Sequence, residues 1–199
     1  MSYVPDTTRY EGVPLLIHQP SYSMLNRGGE KELLGTLEEL GVGCIAVSPL
    51  AQGLLTNKYL NGVPESSRAK DGLWFKKEFL SEDNLRRVRG LNEIAKGRGQ
   101  SLAQMAITWV LRDRRVTSAL IGARNVEQLD NSLDALKQLE FTNAELLEIN
   151  RYAQDSGVDL WKDARVAIDT HRQGINYLQT RGAFIYDFHL PYSSPWPPC

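Results

Sequence analysis

Three times along this chain an unbroken apolar run reaches a polar or glycine-containing turn, and apolar residues at helical spacing then follow. Val13 to His18 in "VPLLIHQPS" precedes Leu33, Leu34, Leu37 and Leu40, with Gly41 as a C-terminal cap. Cys44 to Val47 in "GCIAVSPL" leads, after a long irregular stretch, to Leu85, Val88, Leu91 and Ala95. "VTSALIG" precedes Val126, Leu129, Leu133 and Leu136, expected as an inward stripe. Runs of this length and branching, bounded by proline and glycine, predict buried strands. Strand and helix alternating in this way predict an α/β fold with a parallel sheet, because parallel neighbours need helical crossovers. Three strands cannot close a barrel and would leave an apolar edge or face uncovered, so the pattern reads as part of a larger fold.

The helix starts carry local signals of their own. Ser81 is placed to cap one helix, and Ser101 with Gln104 has the spacing of a capping box. Asn125 with Gln128 repeats that spacing, as does Thr142 with Glu145, where Phe141 and Leu146 add a hydrophobic staple. Leu102, Met105, Ala106, Ile107, Trp109, Val110 and Leu111 surround their helix so fully that it is expected to be buried, with Trp109 in the core. Residues 49–80 keep no sustained period and predict an ordered excursion over a ligand. The divisions expected are a lead-in over 1–12, a main body over 13–155, and an atypical, weakly ordered extension over 156–199. That extension includes a polar helix from Trp161 to His171, and "GAFIYDFHL" as a strand.

With 23 basic against 24 acidic residues, the chain has no global field to attract nucleic acid or anionic lipid. Arg112, Arg114 and Arg115 read as a solvated helix end, and Asp155 with Asp159 as an inert solvated pair. Cys44 sits in an apolar run and reads as a small buried hydrophobe, and two cysteines, Cys44 and Cys199, do not make a disulfide framework. No apolar stretch is long enough to span a membrane and no signal peptide is evident, so a cytoplasmic location is expected. His18, His171 and His189 lack neighbours at metal-ligand spacing, and no metal site is expected.

In parallel α/β folds ligands gather beyond the carboxyl ends of the strands. The candidates there are His18, Gln19 and Ser21, then Ser48 to Gln52, then Gly122 to Gln128. Each has a plain alternative, since Gln19 can simply end a strand, Ser48 before Pro49 can shape a turn, and "GARN" can be an ordinary strand-to-helix connection. Against that, a glycine permits close backbone approach, a helix start offers free N–H groups to phosphate, and Arg124 adds a guanidinium fork. Lys58 and Arg68 of the excursion add positive charge. Tyr22, on the turn after the first strand, is a candidate to touch substrate, but no lysine or histidine adjoins it in sequence to tune a proton donor.

"LLIHQPSYSMLNR", "GVGCIAVSPLAQGLLTNKYLNGVPESSR", "GQSLAQMAITWVL" and "VTSALIGARNVEQLDNSLDAL" together resemble the aldo-keto reductase superfamily, nearest its glyceraldehyde-3-phosphate-like reductases and potassium-channel beta subunits. The resemblance runs from about Val13 to Tyr152. It implies a (β/α)8 TIM barrel, of which this chain holds the last three βα units, and NADP(H)-dependent reduction of aldehydes or ketones to alcohols. It implies that Gln19 holds the nicotinamide carboxamide and that Val47 flanks the ring. Ser48, Pro49, Leu50, Ala51 and Gln52 would line the pyrophosphate with Lys58 and Arg68. Gly122, Arg124 and Gln128 would face the 2′-phosphate, and Asn131 and Ser132 the adenine. The subgroup usually carries serine at Arg124, and glutamate then asparagine at Asn131 and Ser132, which implies a looser adenine clamp here. The family's catalytic aspartate, tyrosine, lysine and histidine have no counterpart in this sequence. The isolated chain is therefore expected to be inactive, with a partner polypeptide completing the barrel and a small carbonyl substrate only in the complete enzyme. A non-enzymatic nucleotide-binding or partner-binding role, or a truncated product, stands as the alternative.

Overall fold

The computed structural model describes residues 15–60 and 77–159. Within them the order is β1 (Ile17–His18), α1 (Leu33–Glu39), β2 (Gly43–Ala46), α2 (Glu82–Gly97), α3 (Leu102–Leu111), β3 (Ser118–Ala119), α4 (Val126–Leu133) and α5 (Asn143–Tyr152). The three strands form one parallel sheet in the order β1-β2-β3, with Ile17 opposite Gly43 and Ile45 opposite Ser118. The alternation of strands and helices thus builds the expected parallel sheet, although the paired segments are shorter than the apolar runs that announced them. A bridge between Ser21 and Val47 carries the β1–β2 pairing past the strand ends.

Helix ends follow their local chemistry. Gly41 and Gly99 take φ of 65° and 69°, the left-handed backbone expected just past a helix. Ser101 Oγ accepts from Gln104 N at 3.1 Å while Gln104 Oε1 accepts from Ser101 N at 2.8 Å. Thr142 and Glu145 close the same reciprocal pair before α5. Asn125 caps α4 through Gln128 N at 2.9 Å, but Gln128 Oε1 accepts from Arg124 N rather than from Asn125, so this box closes one residue early.

The core gathers around α3, where every residue from Leu102 to Val110 except Gln104 is buried. α3 packs beside α2, α4 and β3, and a helix with neighbours on several sides must be apolar nearly all round. Trp109 is fully buried, as expected, in the same core cluster as Met24, Leu34, Leu37 and Leu91. α2 and α5 lie against each other, with Gly90 of α2 leaving the space that the Tyr152 ring fills.

One expected stripe faces the other way. Val126, Leu129, Leu133 and Leu136 are 71%, 42%, 49% and 55% exposed, while α4 and the turn after it bury Ser132 and Ala135 instead. The small residues let α4 approach α3 closely, and this turns the leucines outward, uncovered among the described residues.

The excursion after β2 holds short 3-10 turns at Ala51–Gly53, Asn57–Tyr59 and Lys77–Leu80, and its middle lies outside the described residues. So do the lead-in and nearly all of the C-terminal extension, including the expected helix and strand there. The first residues of that extension pack on the main body: Ser156 N donates to Leu25 O at 3.2 Å and Val158 is buried.

Candidate functional site

Because the strands are parallel, the segments after β1, β2 and β3 leave the sheet at one end. Val47 N donates to Pro20 O at 2.9 Å and Tyr22 N to Val47 O at 3.1 Å, which joins the first two segments into one layer. Gln19 is exposed there, and Val47, bridged to Ser21, is half-buried.

The segment after β2 has an unusual backbone. Ser48, Ala51 and Gln52 take φ of 57°, 46° and 61°, and Gly53 follows at 92°. Left-handed backbone costs a non-glycine residue about 1–2 kcal/mol, so three such residues within five persist only where the surroundings impose them. Here Ala51 N donates to Ser48 O and Gly53 N to Leu50 O, both at 2.9 Å, and Leu54 and Leu55 anchor the turn with fully buried side chains. Leu54 N and Leu55 N are donated inward as well, to Ala51 O and Leu50 O, and Pro49 carries no N–H, so among the described residues the N–H groups of Leu50 and Gln52 are the ones this turn can offer an anion. Pro49 and Ala51 are buried within the turn, while Ser48, Leu50 and Gln52 remain half-buried on it. Lys58 is exposed nearby, with its ammonium 5.1 Å from the centre of the Tyr59 ring. Arg68 lies outside the described residues.

Beyond β3, Gly122 is exposed and a Cβ there would meet nothing within 4 Å, so the backbone is open to close approach. Arg124 is exposed, and its guanidinium has no partner among the described residues. Gln128 is occupied at the helix start through Arg124 N, as above. Asn131 Oδ1 accepts from Ser101 Oγ at 3.2 Å, and buried Ser132 donates to Gln128 O at 2.9 Å, so both side chains are turned toward α3 and the helix itself.

Several expectations are corrected nearby. Tyr22 is 1% exposed and its hydroxyl donates to Glu30 Oε1 at 2.7 Å, so it does not face a substrate. Burial pushes that phenol above its usual range, a shift the neighbouring Arg112 opposes. Arg112 is no free helix end. Its guanidinium lies 3.6 Å from the centre of the Trp109 ring and donates to Trp109 O, Tyr22 and Glu30. Arg27 donates to the other oxygen of Glu30 and to Asn150 and Ala153 O, and its guanidinium lies 5.2 Å from the centre of the same ring. Arg115 pairs with Asp113, leaving Arg114 as the solvated member. Asp155 accepts from Arg27 N and is not an idle surface charge. Helical period misses this cluster because it joins residues about 80 to 130 positions apart.

His18 is half-buried, and desolvation lowers its pKa below 6.5. Cys44 is buried, with a thiol pushed up to about 11 by burial and by Asp113, which suits a packing residue and not a nucleophile. No group of three or more potential metal ligands exists among the described residues. None of the described helices is long and apolar enough to cross a membrane.

A parallel α/β sheet with its candidate residues at the carboxyl ends of the strands is the context in which the sequence comparisons fall. The chain belongs to the aldo/keto reductase family, whose pattern matches residues 2–154. It is 52% identical over 155 residues to the L-glyceraldehyde 3-phosphate reductase of Escherichia coli O157:H7, covering 75% of this chain and 45% of that protein. It is 50% identical over 173 residues to the L-glyceraldehyde 3-phosphate reductase of Escherichia coli strain K12, covering 81% of this chain and 50% of that protein. The chain therefore spans about half the length of these relatives.

Proposed function

We propose that this chain supplies the cofactor side of an NADP(H)-dependent reductase of aldehydes or ketones, as three βα units of a (β/α)8 barrel, and that alone it does not turn over. The observation that carries the proposal is the left-handed backbone at Ser48, Ala51 and Gln52, held at the same end of the sheet as Gln19, Gly122 and Arg124. These groups fit the cofactor's chemistry. The N–H groups of Leu50 and Gln52, which the turn leaves undonated, suit the pyrophosphate, the unpartnered guanidinium of Arg124 suits the 2′-phosphate, and the amide of Gln19 suits the carboxamide. Lys58 and Arg68 add cations from the excursion. Asn131 and Ser132, engaged elsewhere, leave the adenine with a weaker grip.

Bound NADPH supplies the hydride, so the protein must deliver a proton to the carbonyl oxygen. Tyr22 is the phenol nearest this end in sequence, and its hydroxyl is already donated to Glu30. His18, with its pKa lowered, is neutral at pH 7 and a poor acid. The chain thus orients a cofactor without protonating a substrate.

The test is NADPH binding by fluorescence together with steady-state NADPH oxidation by the purified chain. L-glyceraldehyde 3-phosphate, which the relatives' names indicate, is the first aldehyde to try. Binding without oxidation is expected, enzyme-like turnover would overturn the inactivity, and absence of binding would overturn the cofactor role. A second reading, a partner-binding chain with no nucleotide, is favoured by the exposed leucines of α4 and predicts that last result.

A further inference from the structure

We propose that Glu30 is a positioning residue of the cofactor site: through the hydroxyl of Tyr22 it fixes where the segments after β1 and β2 lie against α3 and α5. The inference rests on the function proposed above, since it names what holds that site's first two segments in place.

Glu30 lies outside the strand-end segments, in the 3-10 turn Gly28–Glu30 ahead of α1. Both of its carboxylate oxygens are engaged. Oε1 accepts from the Tyr22 hydroxyl at 2.7 Å and from Arg112 at 3.2 Å, while Oε2 accepts from Nη2 and Nε of Arg27 at 2.7 and 3.0 Å. The two guanidiniums are themselves tied to helices. Arg112 caps the end of α3 and donates to Trp109 O at 2.6 Å. Arg27 donates to Asn150 Oδ1 of α5 at 2.8 Å and to Ala153 O just past that helix at 2.7 Å. A carboxylate in charge-assisted bonds to two anchored guanidiniums has little freedom to move. The ends of α3 and α5 therefore decide where Glu30 stands.

Tyr22 carries that position into the site. Its ring is 1% exposed and tilted against Trp109, with centroids 5.5 Å apart. A buried hydroxyl is costly without partners, and this one donates to Glu30 while accepting from Arg112. The backbone N–H of the same residue donates to Val47 O at 3.1 Å, and Val47 N donates in turn to Pro20 O at 2.9 Å. Gln19 adjoins Pro20, and Ser48, the first left-handed residue of the turn, adjoins Val47. One residue thus joins the ion cluster to both segments. Asn26 adds a second route, since its side-chain amide donates at 3.0 Å to the hydroxyl of Ser21, which bridges to Val47. Ion pairs among Arg27, Glu30 and Arg112 would suffice to tie α3 to α5; the bond to Tyr22 is what extends their hold to the site.

Glu30→Ala would leave two guanidiniums without their anion and endanger the fold, so the decisive variant is Tyr22→Phe, which keeps the buried ring and removes only the hydroxyl. Hydrogen exchange of the purified full chain and fluorescence titration with NADPH read its effect. Exchange of the backbone amides at positions 22 and 47 should quicken about tenfold, and NADPH affinity should fall about tenfold, the loss expected for one bond to a charged group. The buried amides of α3 from Met105 to Trp109 should keep their parent rates. Unchanged exchange at positions 22 and 47 would overturn the inference. So would exchange that quickens equally along α3, which would make the bond a general stability contact, or an unchanged NADPH affinity in a loosened layer. A parent chain that binds no NADPH would instead overturn the function proposed above, and the exchange comparison alone then decides whether Glu30 positions these segments.

Discussion

The backbone N–H of Tyr22 donates to the carbonyl of Val47 at 3.1 Å, which stitches the segment after β1 to the segment after β2. Gln19 lies just ahead of this stitch and the left-handed turn of Ser48 to Gln52 just behind it. Geometry in either segment is therefore felt in the other.

That coupling makes Ala51→Val a sharp probe. A β-branched side chain is poorly tolerated at a φ of 46°, and Ala51 is 3% exposed with little room to grow. The expected loss is about 2 kcal/mol of stability, together with weakened NADPH binding. Chemical denaturation and cofactor fluorescence measure the two effects, and a variant as stable as the parent would show that the turn is not held as described.

Arg124→Ala removes the guanidinium that no described residue engages. NADPH affinity should fall about tenfold, in line with a charge-assisted contact of about 1.5 kcal/mol, while NADH affinity stays unchanged. Equal losses for both nucleotides in a fluorescence titration would remove Arg124 from the 2′-phosphate.

Glu30 sits between Arg27 and Arg112 and also accepts from Tyr22. Burial alone would raise its pKa, but hydrogen bonds from Arg27 and Tyr22 and the two positive charges hold the carboxyl below its usual 4.5. A depressed folded pKa contributes stability that is complete above about 4.5, the unfolded value, and is lost as pH falls through the folded one. Glu30→Gln should cost about 2 kcal/mol at pH 7 by leaving two guanidiniums without their shared anion, and less in acid. In urea melts the difference between parent and variant should therefore shrink as pH is lowered from 7 into the range below 4.5, and a constant difference would contradict the assignment.

Gly90→Ala would set a methyl 2.6 Å from Cδ1 and Cζ of Tyr152. Alanine favours an isolated helix by about 1 kcal/mol, but overpacking costs about 1–3 kcal/mol, so the balance is expected to be destabilising. Adding Tyr152→Ala should make the Gly90→Ala change neutral or favourable, a reversal of sign that a double-mutant cycle of melting temperatures detects.

Sequence by itself determined what depends on near neighbours. The capping pairs Ser101 with Gln104 and Thr142 with Glu145, the glycine stops at Gly41 and Gly99, and the buried character of α3 all arise within a few residues. The order of strands and helices followed from the same short-range patterns, and with it the end of the sheet where Gln19, Ser48 and Gly122 gather. Only the tertiary structure decided which way an amphipathic element faces. The leucines of α4 have the right period, yet Ser132 and Ala135 face inward, because close approach to α3 favours small side chains and period alone does not name the partner. It likewise decided that Tyr22 and Arg112 are locked around Glu30 and Trp109, and that three non-glycine residues turn left-handed after β2. Such outcomes depend on groups far apart in the chain, whose meeting no local spacing encodes.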